Sequence, residues 1–222
     1  MSTKPLKRGR LLALLYVLAV LLWLLACGGT AVRDAAWARS GALQQQELSL
    51  ADFATSGIRM RGQEGLFTTT DPDPQLIYTP APGTRVVRFT FRGQPLNRGI
   101  GEMAVYYTRT ESEPYSEARK VWAQQDAAGN WVFELGGRSI YALRFDPDSV
   151  GGILWQAEGF TLNAPKPLAA YFVPSLLQLF ALLLGPPLAW GLVCESTAFL
   201  RPLLVRRRFE ARWRAMEEEQ EE

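Results

Sequence analysis

Histidine is absent from the 222 residues. Without an imidazole there is no Ser-His-Asp triad, no histidine metal cage and no proton shuttle that works near neutral pH. Cysteine is nearly absent: Cys27 and Cys194 both lie inside apolar runs, so the polar middle of the chain has no thiol. That part can form no internal disulfide and offers no cysteine nucleophile, and its core alone must hold it. Charge is missing from two stretches, the 22 residues Leu11 to Val32 and the 27 residues Leu168 to Cys194. Each exceeds the ~20 residues needed to cross a bilayer's hydrocarbon core. The glycines in GGRS and DSVGG lack the lysine and helix start of a phosphate-binding loop. These absences argue against an enzyme.

The charged residues then set the organisation. Lys4, Lys7, Arg8 and Arg10 precede the first run, and Arg201, Arg206, Arg207, Arg208, Arg212 and Arg214 follow the second, so the positive-inside rule puts both ends in the cytoplasm. The expected order is a basic cytoplasmic N-terminus (1–10), a transmembrane helix (11–32), a stalk (33–50) in which Ala35 to Gln46 either continue the helix or form a separate connector, an extracytoplasmic domain (51–165), a second, kinked transmembrane helix (168–194) and an amphipathic cytoplasmic tail (195–222). Asp34 to Pro165 carries 12 basic and 15 acidic residues, intermixed, which gives no support to nucleic acid as a partner. Around Cys27, KPLKRGR followed by an apolar stretch and LLAC resembles a bacterial lipoprotein signal, but Leu25 is bulky for its place and an uncleaved helix is expected. Pro174 and Gly185-Pro186-Pro187 interrupt the second run and free backbone carbonyls, which favours a polytopic membrane protein as partner, although the chain's own first helix could also supply donors. In the tail Phe199, Leu203, Phe209, Trp213 and Met216 stand among arginines, as in a helix lying on the inner leaflet or a disordered stop-transfer flank.

Between the apolar runs the period is two. Ile58 and Met60 alternate with Arg59 and Arg61, and Val87, Phe89 and Phe91 with Arg88, Thr90 and Arg92. GLFTTT, QLIYTP, EMAVYYTRT, RKVWAQQ, NWVFELG, IYALRFDP and GILWQAEGFTLN read similarly, broken by glycine pairs. Eight or nine short strands without an internal helix predict an all-β antiparallel β-sandwich of jelly-roll type between two transmembrane helices.

Two Asp-Pro-Asp stretches, in TTTDPDPQLIY and LRFDPDSVGG, place Asp71, Asp73, Asp146 and Asp148 beside strands. Aspartate accepts backbone N–H bonds at turn starts and proline presets φ, so turns are the first reading. A calcium site built from these four hard oxygen ligands is the second. A carboxylate hydrolase is the third, and it needs two acids across one cleft.

Among the aromatic residues, Tyr106, Tyr107, Tyr115, Trp122, Trp131 and Trp155 cluster late in the domain. Most are expected in the core, and AVYYT must turn one tyrosine inward. Tyr115, in the polar loop ESEPYSEARK, is the best exposed candidate for stacking on a sugar. Tyr107, Arg109, Arg119 and Arg144 complete the candidate ligand-binding set, the arginines serving either as donors to sugar hydroxyls or acidic groups or, equally, as partners of neighbouring glutamates.

The runs TTTDPDPQLIY, VVRFTFRG, VYYTRTESEPYSEARKVW, DAAGNWVFEL and YALRFDPDSVGGILWQAEGFTL together resemble the galactose-binding-like jelly-roll domains of bacterial membrane and surface polysaccharide proteins, some of them glycosyltransferase-associated. The likeness covers about Gly57 to Asn163. It implies a carbohydrate-binding-like domain in the bacterial cytoplasmic membrane, facing the cell envelope. With no glycosyltransferase sequence attached, the chain would be a non-catalytic accessory subunit of an envelope glycan or polysaccharide system, with envelope glycan as a partner. The alternative is a structural interaction protein whose sandwich binds another membrane protein and no sugar.

Overall fold

The structure, a computed structural model, describes the backbone of residues 6–221 and the side chains of 9–200 and Pro202. The flanking cations Lys4, Lys7, Arg8, Arg201 and those from Arg206 to Arg214, with Leu203, Phe209, Trp213 and Met216, lie outside the described side chains. The chain forms two compact units, residues 1–30 with 168–222 and residues 31–167.

The first unit is helical. Helix α1 (Leu6–Arg39) is rich in leucine and alanine and free of proline, and it stops where Gly41 takes a left-handed φ of 74° and donates to the Ala38 carbonyl at 3.2 Å. Helix therefore fills the first part of the expected stalk, 33–50. The second apolar run is split into α2 (Leu168–Tyr171) and α3 (Leu176–Glu221), with Pro174 between them. Ser175 and Gln178 start α3 with a reciprocal cap: the Gln178 N–H donates to the Ser175 hydroxyl at 3.3 Å, and the Ser175 N–H to the Gln178 side chain at 3.0 Å. The helix continues through Pro186, Pro187 and Pro202. Gly9–Arg39 and Leu176–Leu200 are long and apolar enough to cross a membrane, with mean hydropathies of 2.7 and 1.8.

The second unit is all β. Strands β1 (Gln46–Leu48), β2 (Ala54–Ser56), β3 (Ile58–Met60), β4 (Leu66–Thr69), β5 (Gln75–Tyr78), β6 (Arg85–Pro95), β7 (Ala104–Thr108), β8 (Lys120–Trp122), β9 (Gln124–Gln125), β10 (Trp131–Ser139), β11 (Ala142–Asp146) and β12 (Leu154–Leu162) follow in order. They pair antiparallel into a seven-stranded sheet, β3-β4-β12-β6-β10-β9 with β1 also on β12, and a five-stranded sheet, β2-β5-β11-β7-β8. The chain changes sheet at nearly every step from β4 to β12, the winding of a jelly roll. The domain begins earlier than position 51, because Leu48 pairs with Phe160 in the β1–β12 ladder. Three-residue edge strands such as β1 and β2 carry no readable alternation, which is why fewer strands were expected.

Alternation fills the space between the sheets. Phe67, Phe89, Phe91, Phe133, Phe145, Trp155 and Phe160 are fully buried. Phe91 and Phe160 stack at 4.9 Å and Phe91 meets Phe145 at 5.0 Å. Truncating any of these rings to alanine costs about 3–5 kcal/mol, so this aromatic cluster does the work that no disulfide does. Asn163 closes the last strand in a left-handed conformation (φ 54°). Its side chain accepts from the Val87 N–H at 2.8 Å and donates to the carbonyls of Arg85 (2.8 Å) and Gln44 (3.0 Å).

Candidate functional site

Strand parity decides what the five-stranded sheet shows on its outer face. Leu143 and Phe145 of β11 enter the core, so Arg144 and Asp146 point away from it. In β7 Val105 and Tyr107 enter the core and Tyr106 points away. Val121 of β8 packs on the core, leaving Lys120 and Trp122 outside. The register aligns Ile77, Arg144, Tyr106 and Lys120 in one row across four strands.

Rings and cations interleave along this face. The Arg144 guanidinium lies 5.2 Å from the Tyr106 ring centre and 5.8 Å from that of Tyr115. The Lys120 ammonium lies 3.9 Å from the Trp122 ring and 5.4 Å from Tyr106. Trp122 is 50% exposed, the one tryptophan among the large exposed hydrophobic residues described. The Tyr106 hydroxyl donates to Glu117 at 2.8 Å, and Lys120 pairs with Glu117 (3.4 Å) and Glu102 (3.7 Å). Tyr115 rides on a loop stapled by Glu113, which pairs with Arg119 and accepts the backbone N–H of Arg109 at 2.6 Å.

Electrostatically the face is closed on itself. Arg144 donates to both oxygens of Asp146 at 2.7 Å and also pairs with Asp73. Burial pushes the Asp146 carboxyl above the usual aspartate value, although Arg144 opposes the shift. Burial works against the Arg144 charge, but bonds to Asp146 and the field of Asp73 outweigh it and raise its pKa. Burial likewise raises the Tyr106 and Tyr115 phenols, so both keep their O–H donors at neutral pH.

The two Asp-Pro-Asp loops meet. A Cβ added to Gly151 would stand 3.1 Å from the Asp71 nitrogen, so backbone packs on backbone there. Their carboxylates have other work than a shared metal. Asp71 accepts the Asp73 N–H at 3.0 Å, while Asp148 accepts the N–H groups of Gly101 (3.0 Å) and Ser149 (2.7 Å). Asp73 and Asp146 converge on Arg144, which stands where a cation would. Among the described residues no three His, Cys, Asp or Glu side chains form a metal-holding group.

Of the residues expected from the sequence, Tyr115, Arg144, Asp73 and Asp146 are brought together, and Arg109 and Arg119 flank Tyr115 through Glu113. Tyr107 is in the core at 2% exposure, with Arg138 5.4 Å from its ring. Its neighbour Tyr106 takes the outward place. Tyr106, Lys120 and Trp122 were the residues missing from the expected set. The parity of β7 and β8, anchored on Val105 and Val121, was the signal that could have found them.

No protein-family model matches the chain, and no curated protein matches it. Solved structures similar to part of it include the following three. The xylan-binding module CBM86 of Roseburia intestinalis is 7% identical with a TM-score of 0.37, covering 54% of this chain and 94% of that one. A family 6 carbohydrate-binding module of Clostridium cellulolyticum, solved with xylose, is 12% identical with a TM-score of 0.39, covering 55% and 98%. The module CsCBM6-3 of Clostridium stercorarium, solved with cellobiose, is 9% identical with a TM-score of 0.33, covering 56% and 95%.

Proposed function

We propose that this protein is a membrane-anchored, non-catalytic carbohydrate-binding subunit that presents its sandwich outside the bacterial cytoplasmic membrane to an envelope glycan. One observation carries the reading: Trp122 and Tyr106, on the outer sheet face, and Tyr115, on the loop beside it, lie outside the core, each next to a cation. Sugar rings present apolar C–H faces that such rings accept, and polar groups around them meet the hydroxyls. The cations are already paired with acids, so the face suits a neutral sugar rather than an anionic one. The same pairing leaves Asp73 and Asp146 held by Arg144 rather than free to act as an acid and base.

The membrane partner is read as a polytopic protein. Pro186 and Pro202 stand inside α3 without an N–H to donate, so the carbonyls four residues before them, on Leu182 and Ala198, call for other donors in an apolar setting.

Titrating the full chain in mild detergent with a panel of neutral oligosaccharides by calorimetry tests the carbohydrate reading. Binding that weakens at least about tenfold in Tyr115→Ala and Trp122→Ala is the expected result, the loss of one good stacking contact. Absence of heat with every sugar at millimolar concentration overturns it in favour of a protein-binding scaffold.

A further inference from the structure

We propose a second carbohydrate site, for a neutral, hydroxyl-rich pyranose chain, in the hollow at Trp131. It stands on residues separate from the Trp122 face and does not depend on that face binding sugar. The hollow measures about 330 Å³ and forms where the β9–β10 hairpin, the end of β6 and the bulge of β12 meet. That volume falls at the small end of the roughly 300–1,000 Å³ typical of ligand sites.

The ring is held in place. Trp131 packs against the core, and its indole N–H donates to the Gly93 carbonyl at 3.2 Å, so the plane cannot swing away. Asp126 builds the adjoining turn by accepting the N–H groups of Ala128 and Asn130 and the Asn130 side-chain amide, each at 2.9 Å. This fixes the Asn130 amide by its nitrogen and leaves its carbonyl oxygen to accept.

The hydrogen-bonding capacity here is unspent. Gln94, Gln125 and Glu158 line the hollow, and among the described residues their side chains make no hydrogen bond or ion pair. On the Trp122 face, by contrast, Arg144 and Lys120 are both saturated by acids. Two amides, a free amide oxygen and a carboxylate supply both donors and acceptors, as a ring of sugar hydroxyls requires, beside a rigid indole for its C–H face. Glu158 brings the only formal charge among the lining residues and repels uronic or phosphorylated sugars.

The test is ¹⁹F NMR of the full chain in detergent with its seven tryptophans replaced by 5-fluorotryptophan, the Trp131 and Trp122 signals being assigned with Trp131→Phe and Trp122→Phe. The probes are cellohexaose, xylohexaose and hexagalacturonate. The expected result is a saturable shift of the Trp131 signal with a neutral hexaose, retained in Tyr115→Ala and weakened about tenfold in Glu158→Ala, as for loss of a charge-assisted hydrogen bond. Glu158 is exposed, so that variant leaves the fold intact. A Trp131 signal that stays fixed with both neutral sugars overturns the site, as does one that responds equally to hexagalacturonate. If Trp122 moves and Trp131 does not, the hollow falls and the face stands. Movement of Trp131 alone gives the reverse, and movement of neither sinks both.

Discussion

The hydroxyl of Tyr16 donates to the carbonyl of Leu183 at 2.9 Å. Leu183 lies four residues before Pro187, so its carbonyl is the one that Pro187, lacking an N–H, leaves without a helical donor. A side chain on α1 thus repairs a gap that the sequence opens in α3. Tyr16→Phe keeps the ring and removes the donor. It is expected to weaken the pairing of the two helices by about 0.6 kcal/mol, the average for interhelical hydrogen bonds in membranes, and by no more than about 1.7. A lower midpoint in an SDS titration of the detergent-solubilised chain checks this, and an unchanged midpoint would show that the bond is incidental.

Trp37, near the end of α1, covers Gly137 so closely that there is no room for a Cβ, and Gly137 has a φ of 77°. Arg33 and Arg85 lie 4.7 and 4.8 Å from the same indole, so the ring is clasped by two guanidiniums over bare backbone. Gly137→Ala must both strain the backbone and displace the ring, and a loss of about 1–3 kcal/mol is expected. Gly99→Ala, which has open space and no positive φ, should be near neutral. Equal thermal midpoints for the two variants would contradict the packing argument.

Arg144 is the hinge of the acidic loops. Arg144→Met strands the buried Asp146 carboxylate and should cost about 3–5 kcal/mol, whereas Asp73→Asn, at a 61% exposed side chain, should cost under about 1. The double variant Arg144→Met with Asp146→Asn should recover most of the loss in urea unfolding. A chelator should leave the wild-type midpoint unmoved; a fall reversed by calcium would revive the metal reading of Asp71, Asp73, Asp146 and Asp148.

How far the sequence could be read depended on whether a signal was local. Phe89 and Phe91 alternate with polar residues, so β6 and most of its inward face were legible, as were the two charge-free helices; at the start of β6 it is Val86 rather than Val87 that joins the core, next to a register shift against β10 that the alternation does not show. Tyr106 and Tyr107 are adjacent and chemically alike, so only the inward anchors Val105 and Val121 tell them apart, and the choice fell on the buried one. The meeting of Asp73 with Arg144, 71 residues apart, is a product of the β5–β11 register, which no spacing in the chain encodes. The hollow at Trp131 was missed because three separate segments build it.

The pH dependence of the first strand follows from Glu47. Burial opposes its charge, but hydrogen bonds from Arg92 (3.0 Å), Thr161 (2.9 Å) and Gln45 (3.3 Å) hold its pKa below the ordinary 4.5. Asp52, a few residues on, is lowered below 3.8 by the backbone and hydroxyl of Ser49. A lowered acid contributes stability that is fully present above its unfolded pKa and is lost as pH falls through the folded one. Asp146 has the opposite sign: its raised pKa gives stability below 3.8 that is lost as pH rises through the folded value. The acid-labile part should therefore be β1 and the turn after it, released from β12 below pH 4.5 while Asp146 favours the β11 loop staying in place. Hydrogen–deuterium exchange of the segment 44–53, corrected for intrinsic rates, should show protection falling below that pH in the wild type. Glu47→Gln should have weaker protection at neutral pH and a flatter acid limb. If both proteins lose protection along the same curve, Glu47 is not the group that couples this strand to pH.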